Sequence, residues 1–180
     1  MVKKIWQSLF LVLGLSLIAV FQLAAISNWP PFFNQLNAVL ITLVFTLFFL
    51  GFRAALWGVL ISGLWLDLFS FNFFGLYLIT FFLVIIAAER ISLKLLTNRS
   101  FYSFWLLLLV ATVVDQVVIN LLRYFSADLS AVFFLSQKSF WLALLYQGIW
   151  ATILAALLFN LSALMTKRLQ PFFLEKKAIV

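Results

Sequence analysis

The chain has no cysteine and no histidine in 180 residues. The first absence excludes disulfides and thiolate metal sites. The second removes the commonest general base and the commonest transition-metal ligand. Charge is almost as scarce: 9% of residues are Asp, Glu, Lys or Arg, against about 25% in soluble domains. Only five residues are acidic. No serine–histidine pair, His–Glu zinc motif or glycine-rich phosphate loop can be assembled from this inventory. Neither a metal nor a cofactor is expected, and an enzyme is not.

Apolar surface is abundant. Two thirds of the residues (67%) are hydrophobic and 23 are phenylalanine, with a mean hydropathy of +1.21. This is the composition of a membrane protein, and the length fits one domain, 1–180. A helix needs roughly 20 apolar residues to cross about 30 Å of hydrocarbon. Six segments qualify or nearly so, at about 5–26, 36–52, 54–69, 73–88, 101–124 and 140–165. The first stops at Ser27-Asn28-Trp29-Pro30-Pro31, where proline lacks a donor and restricts its predecessor. Its apolar run is longer than a signal-peptide core, so an uncleaved first span is the expectation. The expected fold is an all-α integral membrane protein, a bundle of six transmembrane helices.

The net charge of +7 reports orientation. If loops are counted alternately, one side receives ten Lys or Arg residues, among them Lys3, Lys4, Arg53, Arg90 and Lys167. The other receives only Arg123 and Lys138. Basic residues collect on the cytoplasmic side, so both termini are expected there. No basic face exists for nucleic acid. The basic tail after Thr166 suits anionic lipid headgroups, and the outer loop at 125–139 suits the membrane surface or a partner.

Two aspartates fall inside spans, Asp67 and Asp115. A centrally placed aspartate costs roughly 2.5–3.5 kcal/mol on an insertion scale, so each needs an explanation. Ala55, Val59, Gly63 and Asp67 recur every four residues, beside Ala54, Gly58 and Ser62. Such a small-residue face lets helix backbones approach closely, so Asp67 is expected to point into the bundle. Gly75 follows and suits a tight turn. In the fifth span Thr112, Asp115, Gln116, Asn120 and Arg123 form a polar stripe that must face protein or water. An ion pair between Asp67 and Arg123 is geometrically allowed. Hydrogen-bond glue between helices, averaging about 0.6 kcal/mol per contact, a small-ligand or ion site, and acid–base chemistry all remain open for these residues. Gln22, Gln147 and Asn160 read as ordinary bundle polars.

The stretch from Gly58 through Gly63, Leu64-Trp65-Leu66-Asp67-Leu68 and Ser70 to Gly75, with Val113-Val114-Asp115 further on, resembles the MreD family of bacterial rod shape-determining membrane proteins. The likeness covers the whole layout but only about residues 54–76 in motif. It implies a non-enzymatic component of the cell-elongation complex in the bacterial inner membrane. It further implies binding to an MreC-like bitopic protein and association with MreB, RodA and a penicillin-binding protein, organising peptidoglycan synthesis. Gly58, Gly63, Asp67, Gly75, Asp115, Asn120 and Arg123 are then candidates for helix packing or partner recognition. The chain also looks like the substrate-binding subunits of energy-coupling-factor vitamin transporters. That likeness would put a vitamin near Asp67 and Asn120, although the first span, with Ala19, Ala24 and Ala25, lacks a clean docking stripe.

Overall fold

A computed structural model describes residues 2–24, 30–70, 73–95, 101–126 and 138–169. All regular structure among them is helical: α1 (Val2–Ala24), α2 (Pro31–Asn34), α3 (Ala38–Leu50), α4 (Phe52–Phe69), α5 (Leu76–Leu95), α6 (Phe101–Ser126) and α7 (Lys138–Leu169). Five helical stretches are long and apolar enough to cross a membrane, at 32–50, 52–69, 76–93, 102–123 and 138–158. Val12–Ala24 of α1 is a shorter apolar helix. This is the profile of a multi-pass membrane protein.

The helices do not start and stop where apolarity does. A single residue, Gly51 at φ +91°, separates α3 from α4, so Arg53 sits in the first turn of α4 and not in a loop. The fourth apolar segment was expected from 73, but its helix starts at Leu76, because Gly75 adopts φ +96°. That left-handed conformation is open chiefly to glycine. At its other end α5 runs on past Ala88 to Leu95 and takes in Glu89, Arg90 and Lys94. Trp29, most of the 125–139 loop and the tail beyond Leu169 lie outside the described residues.

The most apolar element, α3, is the centre. Val39, Leu40, Ile41, Leu43, Val44, Leu47 and Phe48 are all buried, and α3 packs on α1, α4, α5, α6 and α7. The others form an arc around it, with α1 on α4, α4 on α5, α5 on α6 and α6 on α7. Among the described residues the arc does not close by helix packing, since α1 and α7 make no extensive contact there. A strap spans the opening instead. Gln22 of α1 donates to the Leu36 carbonyl at 3.1 Å. The Trp150 indole of α7 donates to the Phe32 carbonyl at 2.9 Å. Phe32 and Phe33 also pack on Trp150, and Phe32 on Tyr146. Pro31 opens α2 at a position whose missing N–H has no helical partner to lose.

Polar groups are sorted along the bundle. Thr42, Thr46, Ser62, Thr80 and Thr112 all return their hydroxyls to carbonyls of their own helices. They therefore make no demand on neighbours. The end where α3 stops is closed by rings, with Phe45, Phe48 and Phe49 against Phe104. Most polar side chains that reach across helices lie at the opposite end, where α1, α4 and α6 finish and α3, α5 and α7 begin.

Candidate functional site

The residues singled out in the sequence separate into two groups. Gly58, Gly63, Asp67 and Gly75 build the packing of α4. Asp115, Asn120 and Arg123 line a cavity.

The first group begins with the small face of α4. Gly58, Ser62, Gly63 and Asp67 are buried there. A Cβ on Gly63 would stand 2.9 Å from the Leu78 Cα, so α5 touches α4 backbone to backbone. A Cβ on Gly58 would meet the side-chain tips of Leu43 and Leu15 at 2.8 and 3.1 Å, so here α4 meets α3 and α1. One turn beyond Gly63, Asp67 reaches the start of α5. Its Oδ1 accepts the Tyr77 N–H at 2.8 Å and its Oδ2 the Leu78 N–H at 3.1 Å. The first N–H groups of a helix have no partner within it, and they carry the positive end of the helix dipole. Asp67 is thus an N-terminal cap supplied from the neighbouring helix. Backbone donors meet both carboxylate oxygens, and the Arg123 side chain lies instead near the Tyr77 hydroxyl. Asp67 does not line the cavity.

The second group starts from α3. Asn37 is its N-cap and accepts the Leu40 N–H through Oδ1 at 3.0 Å. That bond fixes the amide, so Nδ2 faces away and donates to Asp115 Oδ2 at 3.1 Å. Gln147 donates to the same oxygen at 3.2 Å. Gln147 accepts in turn from Gln116 at 2.7 Å. Asn120 Nδ2 donates to the Gln116 backbone carbonyl at 2.7 Å and to the Gln116 side-chain Oε1 at 3.3 Å. The amides of α6 and α7 thus relay in one direction and end, with Asn37 of α3, on a single carboxylate oxygen. The other oxygen, Asp115 Oδ1, is buried without any hydrogen-bond partner, in a residue only 2% exposed.

A cavity of about 510 Å³ opens beside this network. Its wall is mostly polar. It includes Asn37, Asp115, Gln116, Asn120 and Gln147, with Arg123 and Tyr77 also on it. Arg123 is exposed and lies near the Tyr77 hydroxyl. The size is within the roughly 300–1,000 Å³ range of small-molecule sites. Such sites are usually mainly apolar, so this one favours polar contents.

The chain matches no family model, no curated protein and no solved structure.

Gln22 and Gln147, read as ordinary bundle polars, hydrogen-bond between elements of the bundle and also line the cavity. Gln147 carries the Asp115 network, and Gln22 lines the cavity while its Oε1 accepts the Val39 N–H at 3.2 Å. The side chain of Asn160 lies outside the described residues. Thr112, expected on the polar stripe, bonds its own helix and leaves the stripe to Asp115, Gln116, Asn120 and Arg123. Asn37 is not among the residues that the sequence pattern singles out. It follows the mixed stretch Phe32-Phe33-Asn34-Gln35-Leu36, and its partner is 78 residues away. The one local sign was an asparagine directly before an unbroken apolar helix, the usual place of an N-cap.

Proposed function

We propose that this protein is a non-enzymatic component of the bacterial cell-elongation complex, resembling MreD. In this reading it spans the inner membrane six times with both termini in the cytoplasm, and it binds an MreC-like bitopic partner. MreB, RodA and a penicillin-binding protein belong to the same assembly. The observation that carries the reading is the α4–α5 hairpin. Gly63, Asp67 and Gly75, on which the likeness rests, have structural duties there that account for each of them. The glycine admits a backbone, the aspartate caps a helix, and the second glycine makes the turn. A motif explained by helix pairing suits a scaffold whose task is to present packed helices to partners. The apolar outer surfaces of α5, α6 and α7 provide faces for lipid or a partner helix.

The experiment is co-expression with an MreC-like protein from the same genome. Copurification is expected, together with rounding of rod-shaped cells when Asp67→Ala replaces the native chain. Normal rods and no copurification would remove the reading.

The cavity favours a second reading, a substrate-binding subunit of an energy-coupling-factor type transporter. In that case Asn120 lines the binding site but Asp67 does not. Tight vitamin binding by the purified protein, and association with transporter ATPases in place of shape proteins, would favour it over the scaffold.

A further inference from the structure

We infer that the protein holds one membrane lipid, with its uncharged, hydroxyl-rich head in the cavity and its chain along a groove on α3. The inference rests on the multi-pass membrane reading and on neither functional proposal, since a scaffold and a transporter subunit could each carry such a lipid.

The groove follows from how the central helix is buried. Eight of the residues from Ala38 to Phe49 are buried. The four that are not are Ala38, Thr42, Phe45 and Phe49. They are spaced by four, three and four residues, so they share one face of the helix. Other helices pack on α3 from the remaining sides, and among the described residues their ring stays open between α1 and α7. The uncovered face therefore lies in that gap. Thr42 returns its hydroxyl to the Ala38 carbonyl at 2.7 Å, and the Phe45 and Phe49 rings pack on each other, so the groove is apolar along its length. Ala38 to Phe49 spans roughly 16 Å along the axis, half of a hydrocarbon core of about 30 Å. That is the depth of one leaflet, which suits a lipid chain better than a partner helix that crosses both.

The groove runs into the cavity. Ala38 directly follows Leu36 and Asn37, which line the cavity wall, and α1 and α7 both contribute to that wall through Gln22 and Phe140. A molecule seated there meets polar groups at one end and hydrocarbon along the rest, which is the division of an amphiphile.

The wall selects the head. Its charged groups are engaged within the protein. Asp115 Oδ2 accepts from the Asn37 and Gln147 amides, and Arg123 lies near the Tyr77 hydroxyl. The groups left open are neutral. The Asn34 and Gln35 carboxamides line the cavity and have no hydrogen-bond partner among the described residues. Asn120 Nδ2 donates to Gln116, which leaves its Oδ1 as an acceptor. A carboxamide both donates and accepts without charge, and a hydroxyl answers it in both senses.

The test uses the full chain in phosphatidylcholine nanodiscs doped with one probe lipid at a time, and native mass spectrometry counts the lipid retained. The probes are monoglucosyl diacylglycerol, which has both parts, diacylglycerol, which lacks the sugar, and phosphatidylserine, whose head is charged. Retention of one glucolipid is expected, with a preference of roughly 10-fold over the other two. A diazirine in its chain is expected to label Ala38–Phe49. Asn34→Ala combined with Gln35→Ala changes only the strap and should weaken retention roughly 10-fold, the equivalent of about two neutral hydrogen bonds. Thr42→Trp fills the groove and should abolish the labelling; if that variant does not fold, the strap variant and the probe series still decide. Equal retention of the three lipids overturns the inference. So does a glucolipid preference unchanged in the strap variant, or labelling confined to the outer faces of other helices, or a partner's transmembrane helix cross-linked in the groove in place of lipid. Copurification with an MreC-like protein is scored separately, so either idea can fail while the other stands.

Discussion

Asp67 and Tyr77 are joined at 2.8 Å through a backbone N–H, and the same tyrosine lines the cavity beside Arg123. The residue that closes the α4–α5 hairpin is therefore also part of the polar wall. The two groups of candidate residues meet at this one position.

Removing the cap gives a graded result. Asp67→Ala leaves two helix N–H groups without their acceptor in a buried place, and a stability loss of about 1–3 kcal/mol is expected. Asp67→Asn keeps one acceptor oxygen and should lose less. Thermal unfolding in nanodiscs measures both. Equal losses would mean that capping is not what Asp67 contributes.

The glycines of the bundle should rank by what a methyl group would strike. Gly63→Ala collides with the Leu78 backbone and should cost about 1–3 kcal/mol. Gly58→Ala meets only the ends of two leucine side chains, which can turn aside, so a smaller loss is expected. A Cβ on Gly148 meets nothing within 4 Å. Gly148→Ala should be neutral or stabilising by up to about 1 kcal/mol, through helix propensity alone. The same unfolding assay checks the order.

Asn37 has two duties that substitution can separate. Asn37→Ser keeps an N-cap oxygen but no longer reaches Asp115, while Asn37→Ala loses both. The expected order of stability is wild type, then serine, then alanine. The step from serine to alanine should be about 1 kcal/mol, the usual size of a cap. Asn120→Ala, at the far end of the relay, should cost less than Asn37→Ala.

The relay itself predicts coupling. Gln116 and Gln147 share a bond of 2.7 Å, so Gln116→Met and Gln147→Met should not be additive. A double-mutant cycle is expected to return about 0.5–3 kcal/mol of interaction energy. Pairing Gln147→Met with Gly148→Ala is the wrong control, because the two are adjacent. Gly14→Ala, on another helix with nothing near its Cβ, should add within error.

The helices were legible because hydrophobic runs of this length have few other uses, and the small face of α4 was legible because its spacing is periodic. The direction of Asp67 followed from that spacing. Its partner did not, because a cap supplied by another helix leaves no local pattern in either segment. The start of α5 was misplaced for a related reason. Apolarity continues through Phe73 and Phe74, while the backbone turns at Gly75. Gln22 and Gln147 each lie more than ten residues from the next amide on their helices, and an isolated amide looks the same whether it joins a network or only a neighbour. The Asp115 network draws on three helices, so only the folded arrangement reveals which polar residues belong together.

The strap between α1 and α7 gives the bundle one wall of a different kind. Elsewhere, moving two elements apart would mean unzipping interlocked side chains along several turns. At the strap, the Gln22 and Trp150 hydrogen bonds and a few ring contacts hold a short segment across the opening. Sideways passage between the lipid and the cavity would therefore meet least resistance there, and Gln22 and Trp150 are the fastenings that set it.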